Sequence, residues 1–116
     1  MKDYKVEFEV DGKKYAMVFN LNVMQEIQKK YGSLQEWTKL LEGNNDEPDC
    51  EAIIYGLGSM INEWIDINNE ENNLSNPMLS EKQIGRLITK IGFENSTTVL
   101  KNTIIESTKE EKPKNE

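Results

Sequence analysis

Tyr4, Val6, Phe8 and Val10 alternate with Lys5, Glu7 and Glu9 up to the pair Asp11-Gly12, after which Tyr15, Met17 and Phe19 continue on the far side. Period-two alternation around Asp-Gly predicts a β-hairpin with a two-residue turn. That turn sets the register: Val10 faces Lys13, Phe8 faces Tyr15, Val6 faces Met17 and Tyr4 faces Phe19, which puts six apolar side chains on one face. The opposite face pairs Glu9 with Lys14 and is expected to be mostly polar. Two strands alone are marginal in water, so helices or another chain must cover the apolar face.

After Phe19 the period changes. Asn20-Leu21-Asn22 supplies a helix cap, and Val23, Met24, Ile27 and Tyr31 follow helical spacing to a stop at Gly32. Ser33-Leu34-Gln35-Glu36 reads as a capping box opening a short helix with Leu34, Trp37, Leu40 and Leu41 on its stripe, ended by Gly43. Asp49 caps the longest helix, residues 50–67, whose Ile53, Ile54, Leu57, Met60, Ile61, Trp64, Ile65 and Ile67 cover a broad arc. Gly56 and Gly58, near the edges of that arc, are read as places where another backbone comes close. Residues 68–77 show no period and are expected to form a mobile loop. Ser80 and Gln83 form a second capping box, with Leu79 and Ile84 placed for a hydrophobic staple, ahead of Leu87, Ile88 and Ile91. A last helix carries Val99, Leu100 and Ile104 on one side. Ile105 points away from them, toward either a second layer or a partner.

The expected fold is therefore α+β: an N-terminal two-stranded antiparallel hairpin followed by about five helices, near 22–31, 34–42, 50–67, 81–91 and 96–108. One domain spans 1–108, and the charged segment 109–116 is expected to be a disordered tail.

Composition narrows the chemistry. There is no histidine and one cysteine, Cys50, so the usual proton shuttle and the common zinc, copper and iron sites cannot be assembled. An enzyme would have to work with carboxylates, lysine or tyrosine, and no motif places such a pair. A net charge of −7 argues against nucleic acid or an anionic membrane as partner. No apolar run has the length of a membrane span or signal peptide, and a lone cysteine suits a reducing compartment, so the expectation is a cytoplasm.

Three motifs invite a functional reading and lose it on inspection. Asp66-Ile67-Asn68-Asn69-Glu70 has calcium-loop character, but Glu71 and Pro77 stand where glycine and glutamate are required. Gly56-Leu57-Gly58 resembles part of a phosphate loop, yet lies inside an amphipathic helix with no lysine after it. Cys50 opens a helix, but Asp46, Glu47, Asp49 and Glu51 oppose a thiolate, which leaves an inert thiol.

One resemblance covers roughly residues 4–108. It is carried by Asp11-Gly12-Lys13-Lys14-Tyr15, then Phe19-Asn20-Leu21-Asn22-Val23-Met24-Gln25-Glu26-Ile27 up to Tyr31-Gly32, then Leu57-Gly58-Ser59-Met60-Ile61-Asn62-Glu63-Trp64, then Leu79-Ser80-Glu81-Lys82-Gln83-Ile84-Gly85-Arg86-Leu87-Ile88. In order and spacing it resembles the small tail assembly chaperones of long-tailed phages and prophages of Gram-positive bacteria. The resemblance implies a hairpin-plus-helices domain that coats the helical tape measure protein in the host bacterial cytoplasm and is absent from the mature virion. It also implies a longer frameshifted form that recruits tail tube protein. Lys114-Asn115 is compatible with a slippery codon run at the branch point.

The expected function is thus non-enzymatic: no cofactor, no metal, no nucleic acid and no membrane, with the tape measure protein as partner and a homo-oligomer as a further possibility. Trp37, Leu40 and Leu41 are the expected partner-binding residues, provided their short helix docks loosely, with Ile105 as a second patch. The competing reading is an acidic phage-encoded inhibitor, or DNA mimic, that occludes a basic host protein. A small carboxylate hydrolase would need a deep pocket with a perturbed acid pair.

Overall fold

The computed structural model describes residues 4–43 and 47–108. Strands β1 (Tyr4–Val10) and β2 (Lys13–Phe19) form an antiparallel hairpin, followed by α1 (Leu21–Tyr31), α2 (Leu34–Leu41), α3 (Cys50–Asn72), α4 (Glu81–Ile91) and α5 (Phe93–Thr108). This is an α+β fold. The register runs Tyr4↔Phe19, Val6↔Met17, Phe8↔Tyr15 and Val10↔Lys13, as the two-residue turn requires. Asp11 and Gly12 both take positive φ, 52° and 78°, the combination that lets a two-residue turn follow the twist of its strands. The Phe8 and Tyr15 rings stack across the strands, 5.6 Å between centroids. The packing expected of the Tyr4 side chain, the loop at 44–46 and the tail from 109 lie outside the described residues.

β2 differs from expectation. Its second face is not polar: Ala16 and Val18 are buried together with Met17 and Phe19, so both faces of the strand are covered from 16 to 19. The reason is its neighbours, since β2 lies against α1, α3 and α5, whereas β1 meets α4 and α5 and leaves Lys5, Glu7 and Glu9 exposed.

α3 is the central element. Ala52, Ile53, Leu57, Met60, Ile61 and Ile65 are buried in one core with Phe19, Val23, Ile27, Trp37, Ile84, Leu87 and Leu100. Trp64 is only half-buried at its edge. Gly56 admits a side chain, not a backbone: a Cβ there would overlap the Trp37 indole at Cζ2, so the glycine is the seat of the tryptophan ring. A Cβ at Gly58 would likewise meet a side chain, Ile84, at an ordinary 3.4 Å.

The expected mobile loop is shorter and tethered. α3 continues to Asn72 and stops where Asn73 turns left-handed at φ 54°, a conformation asparagine tolerates. Two asparagines one heptad apart then hold the returning chain. Asn62 donates to the Leu79 carbonyl (3.1 Å) and accepts from its N–H (2.8 Å); Asn69 donates to the Asn76 carbonyl (2.9 Å) and accepts from its N–H (3.0 Å). Residues seven apart share a helix face, so the two amides pin one stretch of chain along α3 and aim it into α4. The complete capping box at Ser80 and Gln83 starts α4 there. At Ser33 only half a box forms: its hydroxyl accepts from the Glu36 N–H, while the Glu36 carboxylate turns to Lys39.

α5 begins at Phe93, earlier than expected, and buries Ser96, Thr103 and Ser107 beside Leu100 and Ile104. The Thr103 and Ser107 hydroxyls donate to the Val99 and Thr103 carbonyls at 2.7 Å, which satisfies them within the helix.

Candidate partner-binding site

The surface expected on α2 is not formed. Trp37 is fully buried and its indole N–H donates to the Ala52 carbonyl at 3.0 Å; Leu41 is buried as well, and Leu40 is half-buried against the core. α2 is short, but its largest side chain is locked over Gly56 of α3, so Trp37, Leu40 and Leu41 act as an anchor of the helix. Ile105 is exposed at 54% and faces solvent, clear of the second layer that would have covered it.

The most apolar groove lies elsewhere. Between the first half of α3 and α4 runs a groove of about 720 Å³ lined by Cys50, Ile53, Ile54, Lys82, Gly85, Arg86, Ile88, Thr89 and Phe93. Helix geometry explains it. Gly85 has no side chain on the α4 wall, and a Cβ there would sit 3.6 Å from Ile54 Cδ1, so Ile54 is left as a half-exposed ridge in the floor. Phe93 closes one end and is 37% exposed, while Cys50, also exposed, stands on the α3 side.

Lys82 and Arg86 project from α4 one turn apart, without a salt-bridge partner among the described residues. Sequence reasoning places Ile53 and Ile88 in the core, where the structure has them, but also puts the half-exposed Ile54 there and passes over Gly85 and Phe93. The signal that would have found the groove is a glycine opposite an isoleucine, with cations at i and i+4 beside the apolar stripe.

Ile54 also borders a second cavity of about 530 Å³, between α1, α3 and the chain entering α4, whose carboxylates are Glu26, Glu63, Asp66 and Glu81. Glu63 acts structurally in it, because its Oε2 accepts from the Asn20 and Asn22 side chains at 2.8 and 3.1 Å and so ties the start of α1 to the middle of α3. Tyr55 donates to the Glu26 carbonyl at 3.1 Å and meets Tyr31 edge-on, and Lys30 Nζ lies 5.1 Å from the Tyr55 ring centroid. Burial pushes the Tyr31 hydroxyl up to about 12, and the Glu51 and Asp49 carboxylates add in the same direction. Burial likewise raises Tyr55, aided by Glu26.

Residues 66–70 are helical within α3, so they cannot make the turn of a calcium loop, and Gly56-Leu57-Gly58 is helix where a phosphate loop would be needed. Among the described residues no three His, Cys, Asp or Glu groups come together as a metal site, and no helix is long and apolar enough to cross a membrane. Comparison with protein-family models, with curated proteins and with solved structures gives no match.

Proposed function

We propose that this chain is a non-enzymatic tail assembly chaperone that holds the helical tape measure protein while a phage tail is built. The observation that carries this reading is the groove on α3 and α4, where half-exposed Ile54 and Phe93 lie over the buried Ile53 and Ile88 and offer an apolar surface to the stripe of an amphipathic helix. The hairpin-then-helices order agrees with the expectation drawn from the resemblance. Binding by apolar burial needs no reactive side chain, which suits a chain without histidine. The proposed setting is the host cytoplasm before tube polymerisation.

The acidic cavity favours one other reading, an inhibitor that occludes a basic protein through Glu26, Glu63, Asp66 and Glu81. Salt separates the two, because screening shortens from a Debye length of about 10 Å at ~0.1 M to about 3 Å at ~1 M. With the tagged chain as bait, the long helical product of an adjacent gene should be retained at both salt concentrations. Release of the bound protein at high salt supports the inhibitor, and the lack of any such adjacent reading frame counts against the chaperone.

A further inference from the structure

We infer that the α3–α4 groove selects an amphipathic helix carrying carboxylates along one edge, and that Lys82 and Arg86 are the residues that read them. The inference rests on the partner-binding reading and adds to it the charge and direction of the bound segment.

The chain carries a net charge of −7, yet the wall of its most apolar open groove ends in two cations one turn apart. Neither has a salt-bridge partner among the described residues, and, unlike the unpaired Lys13, Lys14, Lys29 and Lys101, both line the wall of this groove. Cations at i and i+4 on one helix match carboxylates at the same spacing on a second helix lying beside it. Across Ile54 the surface changes sign, to Glu26, Glu63, Asp66 and Glu81. An acidic edge laid over Lys82 and Arg86 is attracted, whereas the same helix turned so that this edge crosses Ile54 meets like charge. The groove therefore favours one orientation, with the apolar stripe on the exposed faces of Ile54 and Phe93.

Cys50 makes the test direct, since it is the single cysteine, is exposed and lines the groove. Two synthetic helical peptides share one leucine stripe, flanked in the first by glutamates and in the second by lysines at matched positions. The full chain should bind the glutamate peptide at least ~10-fold more tightly, a difference of about 1.4 kcal/mol, and the bound peptide should slow alkylation of Cys50. In the double variant Lys82→Glu, Arg86→Glu, whose positions lie outside the core, the preference should reverse. Equal affinity for both peptides, an unchanged preference in the variant, or full Cys50 reactivity in the saturated complex would overturn the inference. A Gly85→Leu variant fills the groove and should weaken both peptides; binding undiminished in it places the peptide elsewhere and also overturns the inference. If the glutamate peptide binds as stated but the tape measure protein does not, the groove's selectivity stands and the identity of the client is what fails.

Discussion

At the scale of single residues, the two glycines of α3 look alike in sequence and differ in what they face. Alanine at either gains helix propensity, roughly 0.5–1 kcal/mol. At Gly58 the new Cβ meets Ile84 at ordinary distance, so Gly58→Ala should be neutral to stabilising by that amount. At Gly56 it overlaps the Trp37 ring, which is fixed by its hydrogen bond to Ala52, and overpacking of this kind costs about 1–3 kcal/mol. Gly56→Ala should therefore destabilise; denaturant melts of the two variants shifting in the same direction would show that the indole yields.

The Tyr31–Tyr55 pair gives a pH signature with a definite sign. A tyrosine whose folded pKa is raised keeps its proton longer when folded than when unfolded, so its contribution is whole below the unfolded value of about 10 and is lost as pH rises toward the folded value. Stability should thus fall between pH ~10 and about 12, where Tyr31 titrates, and Tyr31→Phe should flatten that fall. Denaturant melts across this range decide it, and a parallel decline in both proteins would remove Tyr31 as the cause.

Among the elements, the hairpin register and the 81–91 helix are legible in sequence because local chemistry alone determines them: a two-residue Asp-Gly turn, and a complete capping box closed by Gly92. α2 is legible as a helix but not as an anchor. Nothing local in Trp37 says that its ring finds a glycine on another helix. The end of α3 escapes sequence reasoning for a related reason. Asparagine is a poor helix former when read alone, but here Asn62 and Asn69 exchange paired hydrogen bonds with Leu79 and Asn76 and compensate through tertiary contacts. Asn62→Ala should cost about 1–3 kcal/mol by leaving the Leu79 backbone without its partners, and should speed proteolysis within 73–79. Melts and cleavage rates equal to those of the parent chain would show the clamp to be ornamental. The groove leaves only a partial trace in sequence, Gly85 beside Lys82 and Arg86, because which isoleucine that glycine faces depends on the angle at which α4 returns to α3.

For the whole molecule, the hairpin is a two-stranded sheet among the described residues, in which β2 is covered from 16 to 19 and β1 presents the more exposed edge. The β1 edge and the apolar groove favour association of copies at high concentration, by strand addition or helix packing. Light scattering should show mass rising above that of the monomer as concentration increases; a monomer at every attainable concentration would mean that the charged β1 edge is sufficient protection.

What defines the proposed function is protection of an apolar helical client by binding it. Co-expression of the chain with the tape measure protein of the same genome, followed by measurement of the client in the soluble and pelleted fractions, is the decisive test. The expected result is a client that pellets alone, is soluble with this chain and co-elutes with it, and that returns to the pellet when Gly85→Leu blocks the groove. A client that pellets equally with and without the chain would contradict that function.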